Sequence, residues 1–171
     1  MRASVAGLAA GLLLFLSGAV AGQGEGAGER GVGPSGLPLP RFVSLSAEEA
    51  NLRTGPGRRY PILWVYRRAG LPLEITAEYG NWRRVRDWDG TQGWMHSALL
   101  SGNRTALVTG ATRPLLRRPE AGAPVLLEAE AGVSGPLEEC GPGWCRMRLA
   151  GREAWIRREF IWGVHPGEGF D

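Results

Sequence analysis

Between two β-prone runs the chain carries Asn51-Leu52-Arg53-Thr54-Gly55-Pro56-Gly57, followed at once by Arg58-Arg59-Tyr60-Pro61-Ile62. No regular element can run through that stretch. Proline fixes its own φ and pushes the preceding residue toward extended backbone, and the flanking glycines reach conformations other residues avoid. A strand ending in Asn51-Leu52-Arg53 must therefore turn, run out through Arg58-Arg59 and re-enter at Tyr60-Pro61-Ile62. A short strand, a polar loop rich in Gly and Pro, and a strand again is the grammar of a small β-barrel. Composition agrees, because 27 Gly and 12 Pro in 171 residues suit short strands and many turns rather than long helices.

The rest of the chain continues in the same manner. Phe42-Val43-Ser44-Leu45 opens the first folded unit, and Ile62–Tyr66 is strongly β-prone. Leu71–Glu78 alternates apolar and polar residues, as a half-buried strand does. Trp82–Trp88 and Gly93–His96 flank Asp89-Gly90, a hairpin signal. Trp82 and Val85 are three apart, so either a bulge intervenes or Trp82 stands at the mouth of its strand. Ser97–Leu100 reads as a short helical turn before Thr105–Val108, a strand that fits either half.

The second half repeats the first. Leu52-Arg53 matches Leu116-Arg117, Pro61 matches Pro124, Trp82 matches Trp144 and Trp94 matches Trp155, at separations of 64, 63, 62 and 61 residues. Ordered matches at nearly one period mark tandem copies, and small loop deletions account for the drift. The expectation is an all-β chain of two tandem five-stranded barrels, over 42–101 and 105–164, the second a divergent copy. A unit of about sixty residues has only a small core. The copies differ at the turn: the second has Arg117-Arg118-Pro119 where the first has Gly-Pro-Gly.

These residues resemble the signature of the bacterial SH3-like domain family, in which Asn-Leu-Arg-x-Gly-Pro introduces a long first loop. The family's later Gly-Trp is present as Gly93-Trp94. The resemblance is strong over about 42–101 and weak over 105–164. It implies SH3-like barrels that bind cell-wall peptidoglycan, its stem peptides or short peptides, often as a targeting module beside an enzyme. The partner so implied is a wall peptide or peptidoglycan. An adaptor docking an envelope protein is the alternative, and an exported cysteine hydrolase a third.

Met1 to about Ala21 reads as a signal peptide: Arg2 is its positive start, Leu8–Val20 its apolar stretch, and Ala19-Val20-Ala21 its small-residue cleavage site. An uncleaved anchor is the competing reading, although the run is short for a span. Residues 22–41 read as a disordered Gly/Pro-rich linker. The expectation is an exported protein, periplasmic or extracellular, with no stable membrane insertion once the segment is cleaved. All 20 basic residues are Arg and the formal charge is +3, a balance that leaves no general footprint for nucleic acid.

Cys140-Gly141-Pro142-Gly143-Trp144-Cys145 holds both cysteines around a turn, which in an exported chain reads as a disulfide. A metal site would need more ligands than His96 and His165 add, and a nucleophilic thiol would need a positioned base. No catalytic residues, metal or cofactor are expected. The aromatics carry more. Tyr60, Trp82, Trp88 and Trp94 gather in the first unit around Asn51, Arg53 and Arg58, as an extended-peptide groove would require, with rings stacking and Arg clamping carboxylates.

Overall fold

The computed structural model describes residues 31–171, so the segment read as a signal peptide lies outside the described residues. Strands β1 (Gly31–Val32) and β2 (Pro38–Leu39) form a small hairpin. The first unit holds β3 (Arg41–Leu45), β4 (Ala50–Arg53), β5 (Ile62–Tyr66), β6 (Pro72–Tyr79), β7 (Trp82–Arg86), β8 (Gln92–His96) and β9 (Leu100–Ser101). The second holds β10 (Thr105–Val108), β11 (Arg113–Leu116), β12 (Val125–Ala129), β13 (Ser134–Cys140), β14 (Trp144–Leu149), β15 (Arg152–Arg157) and β16 (Ile161–Trp162). The strand orders are β5-β4-β8-β7-β6-β3-β9 and β12-β11-β15-β14-β13-β10-β16, the same order twice. Among the described residues there is no α-helix, and no helix is long and apolar enough to cross a membrane.

Each unit is thus a seven-stranded antiparallel sheet and not the five-stranded barrel expected from sequence; its two end strands do not pair with each other. The extra strands are easy to miss. β9 and β16 are two residues long, too short to show alternation, and each follows a single 3₁₀ turn.

Two corrections concern register and the linker. β4 pairs with β5 as Leu52↔Trp64 and Arg53↔Ile62, and β11 pairs with β12 as Leu115↔Leu127 and Leu116↔Val125, each with its bulge at the same step. Leu52 therefore corresponds to Leu115, and Arg53 to Leu116. The sequence match had slipped by one residue, because Leu115 and Leu116 look alike and both are buried, so only the strand pairing tells them apart. Likewise, residues 31–41 are structured and not a free linker. Ser35 donates from its backbone amide and its hydroxyl to Glu78, at 2.8 Å each, and Arg41 pairs with Glu78 at 2.6 Å. This anchor is polar, so a reading based on apolar content overlooks it.

Each sheet wraps one core. Leu45, Leu52, Leu73, Ile75, Val85 and Met95 fill the first, and Val108, Leu115, Met147, Ala154 and Ile156 the second. β10 belongs to the second sheet, pairing with β13 and β16, yet its residues divide: Leu107 packs into the first core while Ala106 and Val108 pack into the second. Alternation along one strand thereby joins the units.

The C-terminal segment makes a second join. His165 Nε2 lies 2.8 Å from Glu74 Oε1 on β6, and its Nδ1 lies 3.4 Å from Glu168. Phe42 stacks against the Trp162 ring at 4.8 Å and the His165 ring at 4.5 Å. Arg86 pairs with Glu74, Arg104 pairs with Glu168, and Arg158 donates to the His165 carbonyl. Hydrogen bonds to Glu168 and then Glu74 raise the His165 pKa above 6.5, against the opposing effect of burial. Burial would raise Glu74 and Glu168. Their hydrogen bonds with His165, helped by Arg86 and Arg104 respectively, outweigh it and hold both below 4.5. A raised His contributes fully below 6.5 and fades as pH climbs through its folded value. The lowered carboxylates contribute above 4.5 and fade as pH falls. The join is therefore strongest between 4.5 and 6.5. Thermal unfolding of the wild type and His165→Gln should show the largest difference in Tm inside that window and a shrinking one toward alkaline pH. A difference that grows with pH would contradict the assignment.

Cys140 and Cys145 form a disulfide, facing each other across β13 and β14 with both side chains buried in the second core. The closed loop is short, so the entropic contribution is small, about 2 kcal/mol. Thiol labelling of the folded protein without reductant should modify neither residue. Cys140→Ser should lower the stability of the second unit while leaving the first nearly unchanged, read by a denaturant titration resolved by unit.

Candidate functional site

A groove of about 290 Å³ opens on the first sheet. Asn51 and Arg53 sit two apart on β4 on either side of the fully buried Leu52, so alternation turns both away from the core. From the neighbouring strands of the same sheet come Trp82, first residue of β7, and His96, last of β8, which are cross-strand partners. Their rings meet edge to face, with centroids 5.4 Å apart and planes at 87°. Ala98 and Leu99 of the 3₁₀ turn Ser97–Leu99 supply an apolar wall, and Arg58 leans in from the loop. The Ala98 amide donates to His96 Nδ1 at 3.2 Å, so a neutral His96 ring carries its proton on Nε2.

The loop that forms one bank is held by its own residues. Arg53 Nη1 donates to the carbonyl oxygens of Tyr60 at 2.9 Å and Arg58 at 3.2 Å. The Tyr60 ring lies across the turn so closely that a Cβ on Gly55 would fall 2.5 Å from it, a separation that only glycine permits. On the opposite side Gly93 lets β8 approach β4, since a Cβ there would fall 2.6 Å from Leu52 and 2.8 Å from the Arg53 carbonyl. The hairpin tip is tied by buried Asp87, which accepts from the amides of Asp89 and Thr91 and from the Tyr66 hydroxyl at 2.7 Å. Burial, then this hydrogen bond, pushes the Tyr66 pKa far up.

Of the seven residues nominated from sequence, Asn51, Arg53, Arg58 and Trp82 line this groove together. Tyr60 is placed over the loop glycines, with Arg59 above its ring at 5.2 Å. Trp88 packs, partly buried, against the first core. Trp94 is the cross-strand partner of Arg53 and Arg84, half-buried and not among the residues that line the groove. Sequence reasoning had weighed His96 only as a metal ligand or base, and had not singled out Ala98 and Leu99. A signal for His96 was available: counting outward from Asp89 in equal steps pairs Trp82 with His96. Val85 is fully buried while Trp82 is half-exposed at the strand mouth, and the bulge lies on the neighbouring strand, between Ile75 and Ala77.

The second unit does not reproduce the set. Leu116 replaces Arg53, Arg117 occupies the place of Thr54 and bonds the Pro124 carbonyl as Thr54 bonds that of Pro61, and Arg157 replaces His96, lying 5.1 Å over the Trp144 ring. A larger hollow, about 520 Å³, lies where the units meet, but Ser44, Ser101, Arg104 and Glu138 line it without any aromatic wall. Among the described residues no group of three or more His, Cys, Asp or Glu side chains is arranged to hold a metal ion.

The profile of the family described as "Bacterial SH3 domain" matches residues 46–102 and again 110–163. Among solved structures, an NlpC/P60 family protein from Bacillus cereus ATCC 10987 is similar at 16% identity and a TM-score of 0.33, over 73% of this chain and 57% of that one. The chain thus spans little more than half the length of that protein. No curated protein matches the chain.

Gly55→Ala should displace the Tyr60 ring, loosen the Arg53 clamp and cost about 1–3 kcal/mol in denaturant unfolding, as overpacking does. Gly57→Ala, where the same ring is 3.3 Å from the added carbon, should cost distinctly less.

Proposed function

Because the chain belongs to the bacterial SH3 domain family, we propose that it is an exported, non-catalytic binding module whose first unit holds a cell-wall stem peptide in the Asn51–His96 groove. Domains of this family are often cell-wall binding modules. The observation that carries the reading is the meeting of Arg53, Arg58, Asn51 and the Trp82–His96 pair around one apolar-walled groove. The chemistry matches an extended peptide that has free carboxylates, amides and small apolar side chains. Arg53 keeps donors beyond the one committed to the loop, and Arg58 is exposed, so both are available to carboxylates. Asn51 can donate to and accept from a peptide group. Trp82 and Leu99 offer area to methyl-bearing side chains. The Cys140–Cys145 disulfide suits an oxidising compartment outside the cytoplasm. The second unit, lacking the Arg and His, acts as the structural partner of the first.

Sedimentation with purified sacculi tests this. The protein should pellet with sacculi, and a competing protein lysate should not displace it. Displacement by lysate would instead favour docking to an envelope protein. Trp82→Ala and Arg53→Ala should each weaken pelleting by about thirtyfold, the loss of roughly 2 kcal/mol typical of a central ring or Arg. Arg117→Ala in the second unit should change nothing. Trp88→Ala should lower stability through lost core packing and leave the affinity of the folded fraction unchanged. Equal loss from Arg117→Ala and Arg53→Ala would place the site elsewhere.

A further inference from the structure

We propose that the open edge of β5 is a second binding surface, which takes an extended, acidic polypeptide segment as an added strand. β5 is the end strand of the first sheet and, among the described residues, pairs only with β4. An end strand presents unpaired N–H and C=O groups along its outer side, a template for another strand. Ile62, Leu63 and Trp64 stand along it 50%, 49% and 58% exposed, and Trp64 is the one exposed tryptophan among the described residues. The other unit treats the same positions differently. In β12 the equivalents of Leu63 and Trp64 are Leu126 and Leu127, both packed against the second core. Val125, the equivalent of Ile62, is exposed as well, so the exposure particular to the first copy is that of Leu63 and Trp64.

Charge selects the occupant. Arg58 and Arg59 precede the strand and Arg67 and Arg68 follow it. Of these four, only Arg67 has a carboxylate partner among the described residues, Glu49 at 3.4 Å, with both side chains largely in solvent; Arg68 donates to the Gly132 carbonyl. A second copy of this chain fits badly. Antiparallel pairing about Leu63 would bring Arg67 and Arg68 of one copy beside Arg59 and Arg58 of the other, and parallel pairing would bring each Arg cluster onto itself. A segment with acidic residues at both ends and apolar, β-prone residues between satisfies the backbone, the apolar side chains and both clusters at once. This surface is separate from the groove, in which β5 has no residue.

The test uses the full chain and a pool of peptides of about eight residues, a strand's length. Their ends are acidic in one set and basic in the other, with Val and Thr between, and a backbone N-methylated set serves as a third arm. Acidic-ended peptides should protect the outward amides of β5 from hydrogen exchange and bind at least about tenfold more tightly than basic-ended or N-methylated ones. Added salt should weaken that binding. Trp64→Ala should weaken it about tenfold and leave pelleting with sacculi unchanged, so failure here is distinguishable from failure of the groove reading. Arg59→Glu combined with Arg67→Glu should shift preference toward the basic-ended set. Protection confined to the Asn51–His96 groove, equal binding of acidic and basic sets, absence of β5 protection with every peptide, or a concentration-dependent dimer that Trp64→Ala abolishes would each overturn the proposal.

Discussion

Two carboxylates on β6 hold the outlying parts of this molecule to its first sheet. Glu74 and Glu78 are nearly buried, with side chains 5% and 1% exposed, and a carboxylate removed from water must find cations or donors. Glu78 finds Arg41, Arg83 and both donors of Ser35. Burial would raise its pKa, but hydrogen bonds from Arg41 and Ser35 hold it down at about 2. Glu74 finds Arg86 on the adjacent strand and His165 from the far end of the chain. One carboxylate thus secures the N-terminal hairpin, and the other secures the C-terminal segment. The same strand that carries the first core's Leu73 and Ile75 is the anchor for both.

That anchoring decides how the two copies relate. With Leu107 inserted in the first core and the second unit's tail on Glu74, the units are joined by an apolar contact and an ionic one. The C-terminal segment also returns to the second unit, where Phe170 and Cys140 exchange backbone hydrogen bonds beside the disulfide. The second copy is thus committed on several sides to holding the assembly together. Its groove positions have changed accordingly: Leu116 cannot clamp a loop as Arg53 does, and Arg157 covers Trp144 where His96 leaves the Trp82 edge open to the groove. In the proposed reading, one copy binds and the other braces it.

The two surfaces assigned to the first unit lie on opposite sides of β4, and each uses what the other lacks. The groove is concave, walled by side chains, and suits a ligand recognised through carboxylates and methyl groups. The β5 edge is open along its outer side, and suits a ligand recognised through its backbone. Arg58 and Arg59 stand between them, one in the groove and one over Tyr60, so the electrostatic character of the loop is common to both.

By itself the sequence determined the all-β class, the duplication, the loop at Gly55-Pro56-Gly57, the facing cysteines and four residues of the groove. All of these are local: they follow from backbone limits on Gly and Pro, from period-two alternation, and from spacing along one strand or hairpin. Tertiary structure alone decided the rest. Strands of two residues have no period to read, so the sheets' seventh strands were invisible. The register of Leu115 against Leu116 depends on which one pairs with Leu127 across the sheet, and two adjacent leucines give no hint of that. Residues 31–41 looked free because their anchor is Glu78, some forty positions away and polar. His165 had been weighed only as a metal ligand or base until Glu74, 91 residues distant in sequence, supplied its partner. Contacts between buried charges leave no pattern along the chain, because what pairs them is the cost of leaving water, and only the folded arrangement says which charges have left it.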